Sequence, residues 1–480
     1  MPVIILVADG ARPDTLGAAI DGGALPAMAR LRAEGGLYAV TSIFPSVTGP
    51  AYAPFVMGRF PGPIGLPGIR WYDRARTLRT FPDATRSYVG AEMRHVDGDL
   101  DPDAPTIFEL VSAAGAGTSV AALNVIGRGL GGRDTVLGRG AGFVARAART
   151  HFSGDVRGWL AIDRDIGDQV VRAVRERRPA VAFAAFTGVD KTSHADGHDA
   201  PVVLEALAIV DDVAARIRAD AEAAGTWDDT CLWIVSDHGH SPVREHENLA
   251  RLVRSWGNRV LAHPWVYRLR AADVAVMVSG NAMAHLYLET RRRERPWWGT
   301  LAAEHEPFVE RLLARPSVDL ALLPLSPTRC EVRGGEGRGT ATIEIVRGED
   351  GVPPRYAYRP TTGDPLGVGG AFEGSADEAW AATEAGDYPD AIVQVAHLAG
   401  AARSGDVILS ASRDWDFRAQ YEPIPHRSSH GALHREHMRV PLLLNRPASR
   451  LPRRTTDVMP SALAALHVPI PAGLDGESFL

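Results

Sequence analysis

Lysine and cysteine are scarce in this chain, and each scarcity closes off a class of function. Lys191 is the only lysine in 480 residues, so arginine supplies every other fixed side-chain positive charge. The formal net charge is -6 and no block of like charges occurs, which excludes a basic-patch binder of nucleic acid polymers. Cys231 and Cys330 are too few for a disulfide framework or a thiolate zinc cluster. Cys231 opens an apolar run and reads as a small buried hydrophobe. No apolar run approaches the roughly 20 residues that span a bilayer, so no membrane partner is expected. Residues Met1 to Asp9 carry neither a charged leader nor a small-residue cleavage site, and the expected location is cytoplasmic. Internal repeats and long low-complexity tracts are also missing.

What is present is enough chain for a large core and a second lobe. Val3 to Ala8, Ser119 to Val125, Ala180 to Thr187, Cys231 to Val235 and Val440 to Leu444 are short apolar runs of the kind buried on both faces of a sheet. Helical stretches alternate with them. Thr106 to Glu109 forms a capping box for a helix closing near Gly115, and further helices are predicted around Asp163 to Arg177 and Pro201 to Ala224. The alternation predicts an α/β fold, a doubly wound and mostly parallel sheet flanked by helices. Between 265 and 395 the pattern changes. Val274 to Val278 and Ala284 to Leu288 read as neighbouring strands around Gly280-Asn281, and Ala341 to Val346 alternates as a half-buried strand does. The expected division is a core of residues 1–264 and 396–480 with a smaller α+β lobe inserted at 265–395. Asp406 to Ser410 reads as the return to the core.

The apolar runs end in metal-binding residue types. Cys231-Leu-Trp-Ile-Val-Ser-Asp-His-Gly-His240 breaks from a strand into Asp237-His238, at the strand end where open α/β sheets keep their sites. Val3 to Ala8 delivers Asp9, and Ala180 to Thr187 leads to Asp190-Lys-Thr-Ser-His194, whose four-residue spacing puts a carboxylate and an imidazole on one side of a helical turn. One such ending is an ordinary turn; three in the same register point to one metal site. His430, in Ser428-Ser-His-Gly-Ala-Leu-His434, precedes the last core strand and is the natural sixth ligand. His434, His437, His426, His198 and His240 compete with it, and spacing alone does not separate them.

Asp9-Gly10, Asp190-x-x-x-His194, Ser236-Asp237-His238-Gly239 and Ser429-His430-Gly431, in this order, resemble the metal-site motifs of the alkaline phosphatase superfamily, in particular its nucleotide pyrophosphatase/phosphodiesterase branch. Thr456 to Ser461 and Gly473 to Gly476 are similar to that family's closing segment. The resemblance implies two divalent ions, zinc by expectation with manganese as the alternative. One ion would take Asp190, His194 and His430, and the other Asp9, Asp237 and His238. His240 is then expected behind the ligands or at the surface.

The resemblance also implies a nucleophile on the loop between the first two ligand segments. Met57-Gly-Arg-Phe-Pro61 occupies the position of a family element from which counting back reaches Thr48, with Ser46, Thr41 and Ser42 as alternatives. Thr48 also sits where a helix N-cap is expected, with Pro50 in the first turn. The chain departs from the family's pattern at Gly49-Pro50-Ala51, which removes an amide expected to hold a phosphoryl oxygen; Asn124 could replace it. Lys191, Arg12 and Arg70 are candidates for charge beyond the metals, and Trp71 and Tyr72 for the flat walls of a leaving-group pocket. The implied activity is hydrolysis of a small-molecule phosphodiester or phosphonate ester through a covalent phosphothreonine. A phosphomonoesterase, a phosphomutase of the same superfamily, or a non-catalytic metal-binding relative are the alternatives. Neither cysteine lies in the nucleophile loop, which disfavours a formylglycine sulfatase. The oligomeric state is not legible.

Overall fold

The computed structural model describes residues 1–75, 85–88, 93, 95–123, 126–130, 136–137, 141–263, 272–346, 348, 352–418 and 424–480. Its central sheet has seven strands, in the order Leu37–Thr41, Arg439–Leu444, Cys231–Val235, Val3–Ala8, Val181–Phe186, Ser119–Ala122 and Val136–Leu137. From Cys231–Val235 onward the neighbours are parallel, while Arg439–Leu444 runs antiparallel to both strands beside it. The sheet is therefore mixed and mostly parallel, as expected.

Its strands read as unbroken apolar runs because both faces are covered. Val3, Ile5 and Val7 enter one apolar cluster with the helices Ala53–Met57 and Val458–Ala465. Ile4, Leu6 and Ala8 enter another with Val156–Arg177 and Pro201–Ala223. Register then does the positioning. Val3 faces both Val181 and Cys231, so the three central strands finish level, with Ala8 opposite Phe186 and Val7 opposite Val235. The residues that follow each strand emerge together at one edge of the sheet.

The second sheet has nine strands, in the order Val260–Ala262, Val274–Ser279, Met283–Leu288, Val407–Ala411, Val318–Ser326, Arg329–Gly334, Gly339–Val346, Arg355–Gly363 and Phe372–Gly374. Apart from the first, parallel pair it is antiparallel. The hairpin around Gly280-Asn281 and the alternating strand near Ala341 form as expected. Val407–Ala411 does not rejoin the central sheet. It pairs with Met283–Leu288 and Val318–Ser326 inside the second one. A five-residue apolar run records burial on both faces but not which sheet buries it. Among the described residues no helix is long and apolar enough to cross a membrane.

Candidate active site

The level strand ends bring Asp9, Asp190 and Asp237-His238 together, and the turns between them are tightly packed. Gly10 has φ +83°, and a Cβ there would meet His240 Nε2 at 2.8 Å and the Asp190 Cα at 3.1 Å, so the first turn accepts only glycine. Asp190 and His194 lie one turn apart on the helix Gly188–Asp196. Buried Asp163 holds the start of that helix by accepting from the backbone N–H of Thr187 (3.1 Å) and Gly188 (2.7 Å). His430 arrives from the opposite side on a segment bridged to Asn281 of the second lobe. The site thus lies where the two sheets meet.

Two groups of ligand atoms result. Asp9, Asp237 and His238 form one, and Asp190, His238, His240 and His430 the other, with all ligand atoms of a group within 4.8 Å of one another. In the first, His238 Nε2 is 3.2 Å from Asp9 Oδ1 and 3.5 Å from Asp237 Oδ2. In the second, Asp190 Oδ1 is approached by Nε2 of His240 (3.1 Å) and His430 (3.4 Å); His194, expected as a ligand, lies outside both groups, although its Nε2 is also 3.1 Å from Asp190 Oδ1.

The tautomers test whether these groups fit a cation. Nδ1 of His194 faces the Ser428 carbonyl at 2.8 Å, that of His430 the Ser46 carbonyl at 2.9 Å, and that of His238 the Gly239 carbonyl at 3.1 Å. A carbonyl only accepts, so each Nδ1 carries a proton, and each Nε2 is the ring nitrogen turned toward a carboxylate oxygen, open to a cation or, without one, to a second proton. Such a nitrogen and a carboxylate oxygen need positive charge between them, a metal ion or a proton. Asp237 Oδ2 is buried with no hydrogen-bond partner among the described residues, another acceptor suited to a cation. Ligand distances near 2.0 Å in a tetrahedron put donor atoms roughly 3.3 Å apart, which matches the spacings above. The electrostatics agree. Burial and the neighbouring Asp9 charge push Asp237 well up. Burial would lower His238, but the Asp237 and Asp9 carboxylates outweigh it and raise the imidazole to about 9. The residues fit two metal ions bound through nitrogen and oxygen.

Thr48 Oγ1 lies 3.1 Å from His238 Nε2 and 3.2 and 3.4 Å from the two Asp9 oxygens. It is not a helix cap: Gly49 precedes the short turn Pro50–Tyr52, and no side chain caps it. The alternative hydroxyls are engaged elsewhere. Ser46 donates to the Ala432 carbonyl, Ser42 to the Asp237 carbonyl, and Thr41 accepts from Trp380 Nε1. Of these four hydroxyls, Thr48 faces the carboxylates.

Tyr52 was not singled out from the sequence, yet its buried hydroxyl donates to Asp9 Oδ2 at 2.8 Å. Its place in the short turn just after Thr48 was the available signal. His240 is fully buried rather than on the surface, with Nδ1 2.8 Å from the Ser428 hydroxyl. Lys191 Nζ reaches Asp190 Oδ2 at 2.7 Å. Arg12 donates to the His240 carbonyl at 2.7 Å and pairs with Asp14. Trp71 and Tyr72 are packed into the core beneath the site, and Tyr72 donates to the Thr290 carbonyl at 2.9 Å. They offer no open wall, because a flat apolar ring suits a core as well as a ligand. Arg70, at the head of the same strand, is only half-buried. Asn124 lies outside the described residues.

A mostly parallel α/β sheet carrying paired Asp/His groups at its strand ends defines a hydrolase of the alkaline phosphatase superfamily. Within it the chain belongs to the type I phosphodiesterase/nucleotide pyrophosphatase family, whose profile matches residues 3–314. Similar solved structures include phosphonoacetate hydrolase from Sinorhizobium meliloti 1021 in complex with phosphonoacetate, at 18% identity and a TM-score of 0.57, covering 98% of this chain and 95% of that one. Murine ectonucleotide pyrophosphatase/phosphodiesterase 5, in an inactive threonine-to-alanine form in complex with AMP, matches at 15% identity and a TM-score of 0.56, covering 98% and 96%. The human protein of the same name matches at 13% identity and 0.56, covering 99% and 97%. No curated protein sequence matches the chain.

Proposed function

We propose that this enzyme hydrolyses a small phosphodiester or phosphonate ester through a covalent phosphothreonine on Thr48. The carrying observation is the Thr48 hydroxyl, held against Asp9 and His238 while its three alternatives are bonded elsewhere. Asp9, Asp237 and His238 would hold one divalent ion, and Asp190, His194 and His430 the other, zinc being proposed for this nitrogen and oxygen set. When bound, such ions supply the positive charge that lowers a hydroxyl pKa and neutralises phosphoryl oxygens.

The chain's own groups set the geometry. Tyr52 fixes Asp9, and Asp9 with His238 fixes the direction of Thr48 Oγ1. A Thr48 Oγ–P bond forms as the bond from phosphorus to the leaving group breaks, and the leaving group departs with a proton. Water then cleaves the Oγ–P bond, restores the hydroxyl and releases the remaining phosphoryl product. The mouse relative that is inactive with alanine for one threonine, and the bacterial relative bound to phosphonoacetate, support this reading. Lys191, beside Asp190, adds charge that would suit a monoester dianion, so monoesters belong in the substrate panel.

The test is turnover of diesters, phosphonate esters and monoesters by metal-loaded wild type and Thr48→Ala. The variant should lose about a thousandfold in kcat while keeping its metal content. Full diesterase activity in Thr48→Ala would overturn the assignment. Chelation should abolish turnover and zinc restore it.

A further inference from the structure

A cleft lies on the second sheet near the metal-directed side chains, lined by Arg70, Asn248, Ala250, His263, Val278 and Arg418. Val278 and Ala250 give it an apolar floor, Arg70 and Arg418 add two guanidinium groups to its lining, and among the described residues no carboxylate lines it. Among the described residues Arg418 makes no hydrogen bond or ion pair. His263 adds no charge: burial, and then the Arg70 charge, lower its imidazole to about 3. Among the described lining residues the positive charge therefore comes from arginine alone.

Three separate segments tie this cleft to the backbone that holds His430. Val278 stands two residues before Gly280, where a Cβ would meet His430 Nδ1 at 3.0 Å. A strand advances about 3.3 Å per residue, so the floor lies roughly 7 Å from that contact. Arg418 follows Phe417, whose N–H donates to the Asn281 carbonyl at 2.5 Å. Arg70 follows Ile69, whose N–H donates to the Ser279 hydroxyl at 3.1 Å. Both guanidinium groups thus reach out from segments bonded to the Ser279-Gly280-Asn281 turn.

We propose that the cleft binds an anionic group, carboxylate or phosphate, on the non-reacting arm of the substrate, with Arg418 and Arg70 as its clamp. A guanidinium presents parallel N–H donors that match both anions, and the short apolar floor suits the carbon chain between the two ends. The inference rests on the proposed function only in seating the reacting phosphoryl group at the metal ligands.

Calorimetric binding to the full-length zinc-loaded protein tests it with three ligands of equal chain length: pentylphosphonate, 5-carboxypentylphosphonate and pentane-1,5-bisphosphonate. At least one doubly anionic ligand should bind about tenfold tighter than pentylphosphonate, and which one does separates a carboxylate arm from a phosphate arm. Arg418→Gln should remove the gain, and Arg418→Lys should keep part of it, which separates lost charge from lost folding. Equal binding of all three by wild type, no binding of any, or a gain that survives in Arg418→Gln would overturn the proposal. Turnover is read separately. A gain in binding without ester hydrolysis leaves the cleft standing and the proposed function failing, and the reverse pattern does the opposite.

Discussion

His240 Nε2 meets Asp190 Oδ1 at 3.1 Å, and the protons of the surrounding groups give this contact a direction. The Ser428 hydroxyl is buried and makes no other hydrogen bond among the described residues, so it donates to His240 Nδ1 at 2.8 Å. The proton of His240 is then on Nε2 and donates to Asp190. Lys191 takes the other Asp190 oxygen. Burial would raise the Asp190 carboxyl, but the His194 and Lys191 charges hold it well below the usual carboxylate range. The carboxylate is therefore aimed from both oxygens before any ion arrives, which is how groups behind a metal site govern its affinity.

His240→Ala should weaken metal binding about 10- to 100-fold, and Ser428→Ala should weaken it less. Competition against a chromophoric chelator, followed by metal analysis, measures both. Wild-type affinity in His240→Ala would mean that Asp190 needs no such support.

Tyr52→Phe removes one hydroxyl and leaves a buried carboxylate oxygen of Asp9 short of a donor. A hydrogen bond to a charged group contributes about 1.5–3 kcal/mol, so the metal-free variant should lose stability of that order. Urea denaturation of both metal-free proteins reads the difference. A loss below about 0.5 kcal/mol would show that Asp9 finds another donor.

Gly49 has φ +96°, and a Cβ there would lie 2.4 Å from the Tyr88 ring. Gly49→Ala must therefore shift the loop that aims Thr48, while every proposed metal ligand lies on another segment. Displacement of a reacting group by about 1 Å costs on the order of 100-fold in rate, so kcat should fall by that much with metal content preserved. Loss of both metals would instead show that the loop helps to hold the ions.

The motifs carrying the site were legible because parallel strands buried on both faces read as apolar runs, and their ends were marked by Asp9, Asp190 and Asp237-His238. Register then makes three separate strand ends one site, which no single motif states. Tyr52 and the Ser428–His240 pair were less visible, since a buried tyrosine or histidine carries the same sequence signal whether it packs a core or serves a ligand. The destination of Val407–Ala411 was hidden for a similar reason: burial is encoded locally and sheet membership is not. Arg418 lies far in sequence from Arg70, and only the folded second sheet brings them to one cleft.

Acid should destabilise the protein in part through His285, which lies away from the proposed metal ligands. Its Nε2–H donates to the Pro67 carbonyl at 2.8 Å, and its Nδ1 accepts from the Gly405 N–H at 3.1 Å, so the buried ring is neutral with both nitrogens used. Burial lowers its pKa from 6.5 to about 4. The unfolded chain therefore takes up a proton below pH 6.5, whereas the native state resists until about pH 4. Stability from this group is complete above pH 6.5, falls through the interval, and is lost below pH 4, a change of about 3 kcal/mol. His285→Gln can keep a donor toward Pro67 and an acceptor toward Gly405 but cannot titrate. Its unfolding free energy, measured in urea at steps between pH 7.5 and pH 4, should fall less steeply than that of wild type. Parallel curves for the two proteins would remove His285 as a source of the acid sensitivity.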